Sequence, residues 1–137
     1  MIIGLGTDLC DIKRIVKILK QFPKRFENRI FTKQEQERAE RRPHNRAGRY
    51  AQMFAAKEAC SKALGTGFRK GVYWRDMEVI HLRSGKPTLA LRGGALARVQ
   101  KLTPDGMRAQ VELSLTDESG LANAVVIIYA IPNSLEA

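Results

Sequence analysis

The chain has 137 residues, with 24 Lys or Arg against 14 Asp or Glu, a formal net charge of +10. That length suits one domain, residues 1–137, with a real core. The charge fits nucleic acid, an anionic membrane surface, a phosphorylated ligand or an acidic protein, and no apolar run is long enough to span a bilayer.

Cys10 and Cys60 have neither metal nor redox spacing. Two lone thiols of this kind point to a reducing cytosol. The start, MIIGLGTD, has no basic region and no cleavage-type segment. The expectation is a cytoplasmic protein without a membrane partner.

In chain order, Ile2–Gly6 is apolar and β-branched, a short buried strand. Gly4, Gly6 and Thr7 lead to Asp8, which is expected at or just past the strand end. Asp11 can cap a helix from Ile12 to about Gln21. Ile12, Ile15, Val16 and Leu19 follow the helical period and face the core. Lys13, Arg14, Lys17, Lys20 and Lys24 fill much of the remaining surface, and no acid offsets them between Ile12 and Phe26. Phe26–Phe31 shows no clear pattern. Thr32 with Glu35 matches a capping box, so Lys33–Arg41 is read as a helix.

The stretch Arg49–Gly67 reads as one helix ending in a glycine loop. Met53, Ala56, Cys60, Ala63 and Leu64 form its core side. Tyr50, Phe54, Glu58, Ser61, Lys62 and Gly65 recur at three or four residues and share another face. Carboxylate for a cation, ammonium for an anion and glycine for close backbone approach suit a metal–phosphate ligand. A Glu–Lys pair at this spacing is equally ordinary on a solvated helix face.

Phe68–Arg75 interleaves basic and aromatic residues. It can stack on a base and hold phosphate, or it can be a loop anchored by Trp74. A small nucleic-acid-binding module is the alternative reading, but it leaves Asp8 and Glu58 without a task. Asp76–Leu82 and Pro87–Leu91 read as strands, Ala95–Leu102 as a helix, and the alternation through Ala109–Leu115 and the run Leu121–Ile131 as a strand hairpin. The tail Pro132–Ala137 reads as loose. The order implies an α+β fold, a largely antiparallel sheet packed against the long central helix.

Several motifs together are more specific. G-L-G-T-D-L near the start, R-I-F-T at 29–32, F-A-A-K-E-A-C-S-K-A-L-G-T-G at 54–67, G-K-P at 85–87 and L-S-L-T-D-E near 115 resemble the holo-[acyl-carrier-protein] synthases, the small class of phosphopantetheinyl transferases. The resemblance runs in order over essentially the whole chain. It implies transfer of the 4′-phosphopantetheine arm from coenzyme A to a serine of apo acyl carrier protein. It implies magnesium held by Asp8 and Glu58, with Asp8, Glu58 and Lys62 as the catalytic set. It places coenzyme A contacts on Ser61, Lys62, Gly65 and Thr116, and the carrier on Lys13, Arg14, Lys17 and Phe54. It also implies a homotrimer with sites shared between neighbouring subunits. Some members carry a histidine in the segment Ser114–Glu118; this chain has only His44 and His81, so histidine is not the general base there.

Overall fold

The computed structural model describes residues 1–135. Strand β1, Ile2–Asp11, opens the chain, followed by helices α1 Ile12–Gln21, α2 Pro23–Ile30, α3 Lys33–Glu40 and α4 Arg46–Leu64. Strands β2 Met77–His81 and β3 Pro87–Leu91, helix α5 Gly93–Leu102, and strands β4 Met107–Glu118 and β5 Leu121–Pro132 complete it. The α+β reading holds, but the strands form two antiparallel sheets, β1-β5-β4 and the hairpin β2-β3.

Local chemistry sets several boundaries. The Asp11 carboxylate accepts the Lys13 amide at 3.0 Å and starts α1. Thr32 and Glu35 form the expected reciprocal capping box of α3. Gly65, at φ 77°, closes α4 in the left-handed region that other residues resist. Helix α2 has only eight residues; Pro23 begins it, and Phe26 and Ile30, one turn apart, anchor it inward.

β1 corrects the expected strand end. It continues past Gly6 because β5 pairs with it as far as Asp11 opposite Leu121, so Asp8 lies within a strand. The tail also departs from expectation where it is described: the Asn133 amide donates to the Gly106 carbonyl at 2.9 Å and Arg108 to the Leu135 carbonyl at 2.6 Å. Residues 136–137 of that tail lie outside the described residues.

Helix α4 runs through the middle and packs on the inner face of the three-stranded sheet. Gly4, Gly6, Asp8 and Cys10 alternate toward it from β1, as the two-residue period of a strand requires. A Cβ at Gly6 would fall inside the Ala59 carbonyl oxygen, and one at Gly4 inside the Ala63 carbonyl oxygen. Helix backbone therefore lies directly on strand backbone, and Asp8, two residues beyond Gly6, faces the same helix. On the opposite face Leu5 and Leu9 remain 63% and 61% exposed, beside half-buried Val125, Ile127 and Tyr129 of β5.

Candidate active site

Asp8 and Lys62 meet because of the glycine contact. The Lys62 ammonium lies 3.3 Å from Asp8 Oδ1 and donates to the Thr7 carbonyl at 3.0 Å. Glu58, one turn earlier on α4, is half-buried. Burial first, then repulsion from Asp8, hold its carboxyl above the usual range, while Lys62 and Arg14 oppose that shift. Cys10 lies behind this group. Its thiol is pushed up to about 11 by burial, against the pull of Arg14 and with further upward push from Asp8, Asp11 and Glu58. The Asn123 amide holds the Asp8 backbone carbonyl at 3.0 Å.

The arrangement is two carboxylates that repel one another, a half-exposed ammonium and a left-handed glycine at the helix end. Among the described residues no group of three or more His, Cys, Asp or Glu side chains could hold a metal ion by itself. Two carboxylates do not complete a zinc site. They do fit magnesium, a hard ion that keeps several waters and takes its other oxygens from phosphate.

The shared helix face expected from sequence divides in two. Glu58 and Lys62 lie on the side of α4 that faces Asp8. Tyr50 is buried, its hydroxyl 2.9 Å from carboxylate oxygens of both Glu27 and Glu40. Ser61 is also buried, and its hydroxyl donates to the Glu58 carbonyl at 2.7 Å, one turn back in its own helix. Phe54 is buried in a stack of three rings: Trp74 lies between Phe54, at 5.2 Å, and Phe68, at 3.6 Å. Phe54 is thus no free docking surface, because α1, α2 and the 74–76 turn cover that side of α4. Phe68 and Trp74 use their faces on one another, so the loop has the anchored form rather than that of an open base-stacking platform. Thr116 is exposed, but it lies on the outer face of β4, opposite Asn123. Two strand spacings, about 10 Å, and the sheet itself separate it from the carboxylate pair.

Lys13, Arg14 and Lys17 are exposed on α1 as expected. The Arg14 guanidinium lies 5.7 Å from the centre of the Phe54 ring. Beside it is a groove of about 500 Å³, lined by Ile18, Phe22, Phe26 and Ile30 with Arg25, Arg29 and Trp74. This groove was not legible in the sequence, because α2 is a single short helix of eight residues and the groove forms only where α1, α2 and Trp74 meet. A second feature not legible there is a basic cavity of about 170 Å³, which includes Arg38, Asn45, Arg49, Gln52 and His81 and no acid. His81 Nδ1 is buried there without a partner, and burial together with Arg38 and Arg49 pushes the imidazole below its usual range. Glycines alternating with Asp8 on a strand were the available signal for the close strand–helix contact.

Residues 4–116 match the pattern that describes the 4′-phosphopantetheinyl transferase superfamily. The chain belongs to that superfamily. It is 59% identical over 135 residues to a holo-[acyl-carrier-protein] synthase of Rhodopseudomonas palustris (strain HaA2), spanning 96% of each chain. It is 56% identical over 135 residues to that of Bradyrhizobium diazoefficiens, covering 96% of this chain and 97% of the relative. The crystal structure of the Neisseria meningitidis synthase superposes with a TM-score of 0.80 at 36% identity, over 94% of this chain and 99% of the other. That of Helicobacter pylori, in complex with coenzyme A, gives 0.77 at 26% identity over 91% and 99%. Within the superfamily the chain falls among the holo-[acyl-carrier-protein] synthases, and it is a transferase of that class.

Proposed function

We propose that residues 1–137 act as one domain that moves the 4′-phosphopantetheine arm of coenzyme A onto a serine of apo acyl carrier protein, with Asp8 and Glu58 holding magnesium. The observation that carries this reading is the meeting of Asp8, Glu58 and Lys62 across the glycine contact between β1 and α4. Bound magnesium supplies positive charge to the pyrophosphate as its bridging bond breaks. Lys62 is tethered by the Thr7 carbonyl and half exposed, so its ammonium can turn from Asp8 to a phosphate oxygen and stabilise the leaving group. Gly65, without a side chain, lets the protein backbone at the helix end approach the ligand.

The carrier docks on α1 through Lys13, Arg14 and Lys17, with the α1–α2 groove beside them taking its apolar surface. Two further features support a homotrimer with shared sites. The outer sheet face bearing Leu5 and Leu9 is apolar and uncovered in the protomer. The basic cavity at Arg49 also lies nine residues before Glu58, about half a turn round α4 and about 13 Å along it. One nucleotide cannot span that helix; a neighbouring protomer's cavity can receive its phosphates, and Thr116 can then face the nucleotide as well. No helix among the described residues is long and apolar enough to cross a membrane, and the two buried free thiols agree with work in the cytoplasm.

The test is direct. The protein is incubated with apo acyl carrier protein and coenzyme A, with magnesium or with chelator, and the carrier is weighed. A carrier heavier by the phosphopantetheine arm only with magnesium is expected. An unmodified carrier in both arms refutes the reading.

A further inference from the structure

Lys57 stands next to Glu58 in the sequence, yet its side chain takes no part in the Asp8–Glu58–Lys62 group. It is fully buried, and each of its three protons has an acceptor. These are Glu35 Oε1 at 2.8 Å, the Trp74 carbonyl at 3.0 Å and the Met77 carbonyl at 2.6 Å. Glu35 uses its remaining capacity on backbone: Oε1 accepts the Thr32 amide and Oε2 the Val79 amide, both at 2.8 Å. Burial drives the Lys57 ammonium below its usual range, and Glu35 opposes that. A buried ion pair is seldom a net source of stability against an apolar pair of the same size. What this one does is geometric: it fastens the start of α3 and the start of β2 to α4, and it holds both ends of the turn Trp74–Asp76.

Trp74 hangs from that turn. Its ring is clasped between Phe54 and Phe68 and forms one wall of the α1–α2 groove. Neighbouring residues of α4 therefore carry one carboxylate of the candidate site, at Glu58, and the tie of the groove wall, at Lys57. We propose that Lys57 is a positioning residue for the carrier: it pins the Trp74 turn to α4 and so fixes the groove at a set distance from Glu58. This rests on the groove being the carrier surface.

The chain has a single tryptophan, so Trp74 fluorescence reports its own surroundings. Lys57→Met removes the tie. The pair Lys57→Met with Glu35→Gln removes it without leaving a buried charge, and the side-chain oxygen of the introduced glutamine can still accept a backbone amide, which favours folding. In either variant Trp74 emission should move to the red. The Michaelis constant for the carrier should rise roughly tenfold, while kcat at saturating carrier and the constant for coenzyme A stay within about twofold. Unmoved emission, or a loss confined to kcat, overturns the proposal. Trp74→Leu removes the wall directly and should give the same carrier-specific rise, with no further rise on adding Lys57→Met. An unchanged carrier constant in Trp74→Leu overturns the proposal even where the Lys57 variants do not fold. If the wild type modifies no carrier, the underlying functional reading has failed, while the emission shift still tests the tie.

Discussion

Gly6→Ala places the strand–helix contact under test with one carbon atom. That carbon would lie within the Ala59 carbonyl oxygen, and 2.8 Å from both the Ala59 carbonyl carbon and the Ala63 amide nitrogen. Ordinary contact begins at 3.4 Å, so even the nitrogen contact needs a retreat of 3.4 − 2.8 = 0.6 Å, and the oxygen needs more. These are backbone atoms, which cannot rotate away as a side chain would. Overpacking of this kind costs about 1–3 kcal/mol. A retreat of α4 from β1 by that amount lengthens the 3.3 Å Lys62–Asp8 contact beyond hydrogen-bonding range and separates Glu58 from Asp8. Misplacement near 1 Å can lower turnover about a hundredfold. Urea unfolding should show the loss of stability, and transfer to the carrier at saturating magnesium the loss of rate. Wild-type turnover in a fully folded Gly6→Ala protein would refute the claim that this contact positions the carboxylates.

Other outcomes follow from the same geometry. Magnesium should raise the melting temperature of the wild type, measured by differential scanning fluorimetry, but not that of Glu58→Gln, which should also lose most turnover; an equal rise in both removes Glu58 from the metal. Lys62→Ala should lose about 2.7–4 kcal/mol of transition-state stabilisation, read as a fall in kcat, and a change only in the carrier's Michaelis constant contradicts that role. His81 has a folded-state value below its ordinary 6.5, so the unfolded chain binds the proton more readily. Its contribution to stability is therefore present above pH 6.5 and lost as pH falls from there toward the folded value; His81→Gln should flatten that slope in denaturant titrations, and an unchanged slope refutes the assignment. Leu5→Asp with Leu9→Asp should give a monomer by light scattering with little transferase activity, and a fully active monomer rejects the shared site.

What could be read from sequence was the short-range part. Asp11 and Thr32 as caps, the strand hairpin and the glycine stop at Gly65 depend on neighbours within a few residues, and all stand. Asp8 was placed at or just past a strand end because two glycines and a threonine break the apolar run before it; only pairing with β5, over 110 residues away, extends the strand through it. Helical spacing correctly grouped Glu58 with Lys62. It failed for Phe54 and Ser61 because α4 is packed on several sides, and periodicity cannot show how far a neighbouring element covers a face. Lys57 was the opposite case: a charged residue in a motif suggests solvent or substrate, and its buried partner, Glu35, lies on a different helix. The α1–α2 groove and the basic cavity each draw on several elements, so no local window contains them.

Charge explains why the pieces are set apart. In a chain of net charge +10, an exposed carboxylate would normally be neutralised by a nearby base. Here Asp8 and Glu58 are brought together by backbone contact, and one half-exposed lysine is their nearest cation. Burial first, then Asp8, leave Glu58 with a raised proton affinity, an arrangement that the proposed magnesium would relieve. The arginines at 38 and 49 meanwhile crowd a cavity without a single acid, where burial first, then Arg49, Arg41 and Arg42, lower the proton affinity of Arg38. Each half is electrostatically incomplete, one lacking a cation and the other an anion. Magnesium, on the proposed reading, supplies the first deficit and lets the coenzyme's pyrophosphate approach the carboxylates, while the coenzyme's further phosphate supplies the second when the two halves come from adjoining protomers. On the proposed reading, the same α4 that separates the halves within one chain presents them to two different active sites.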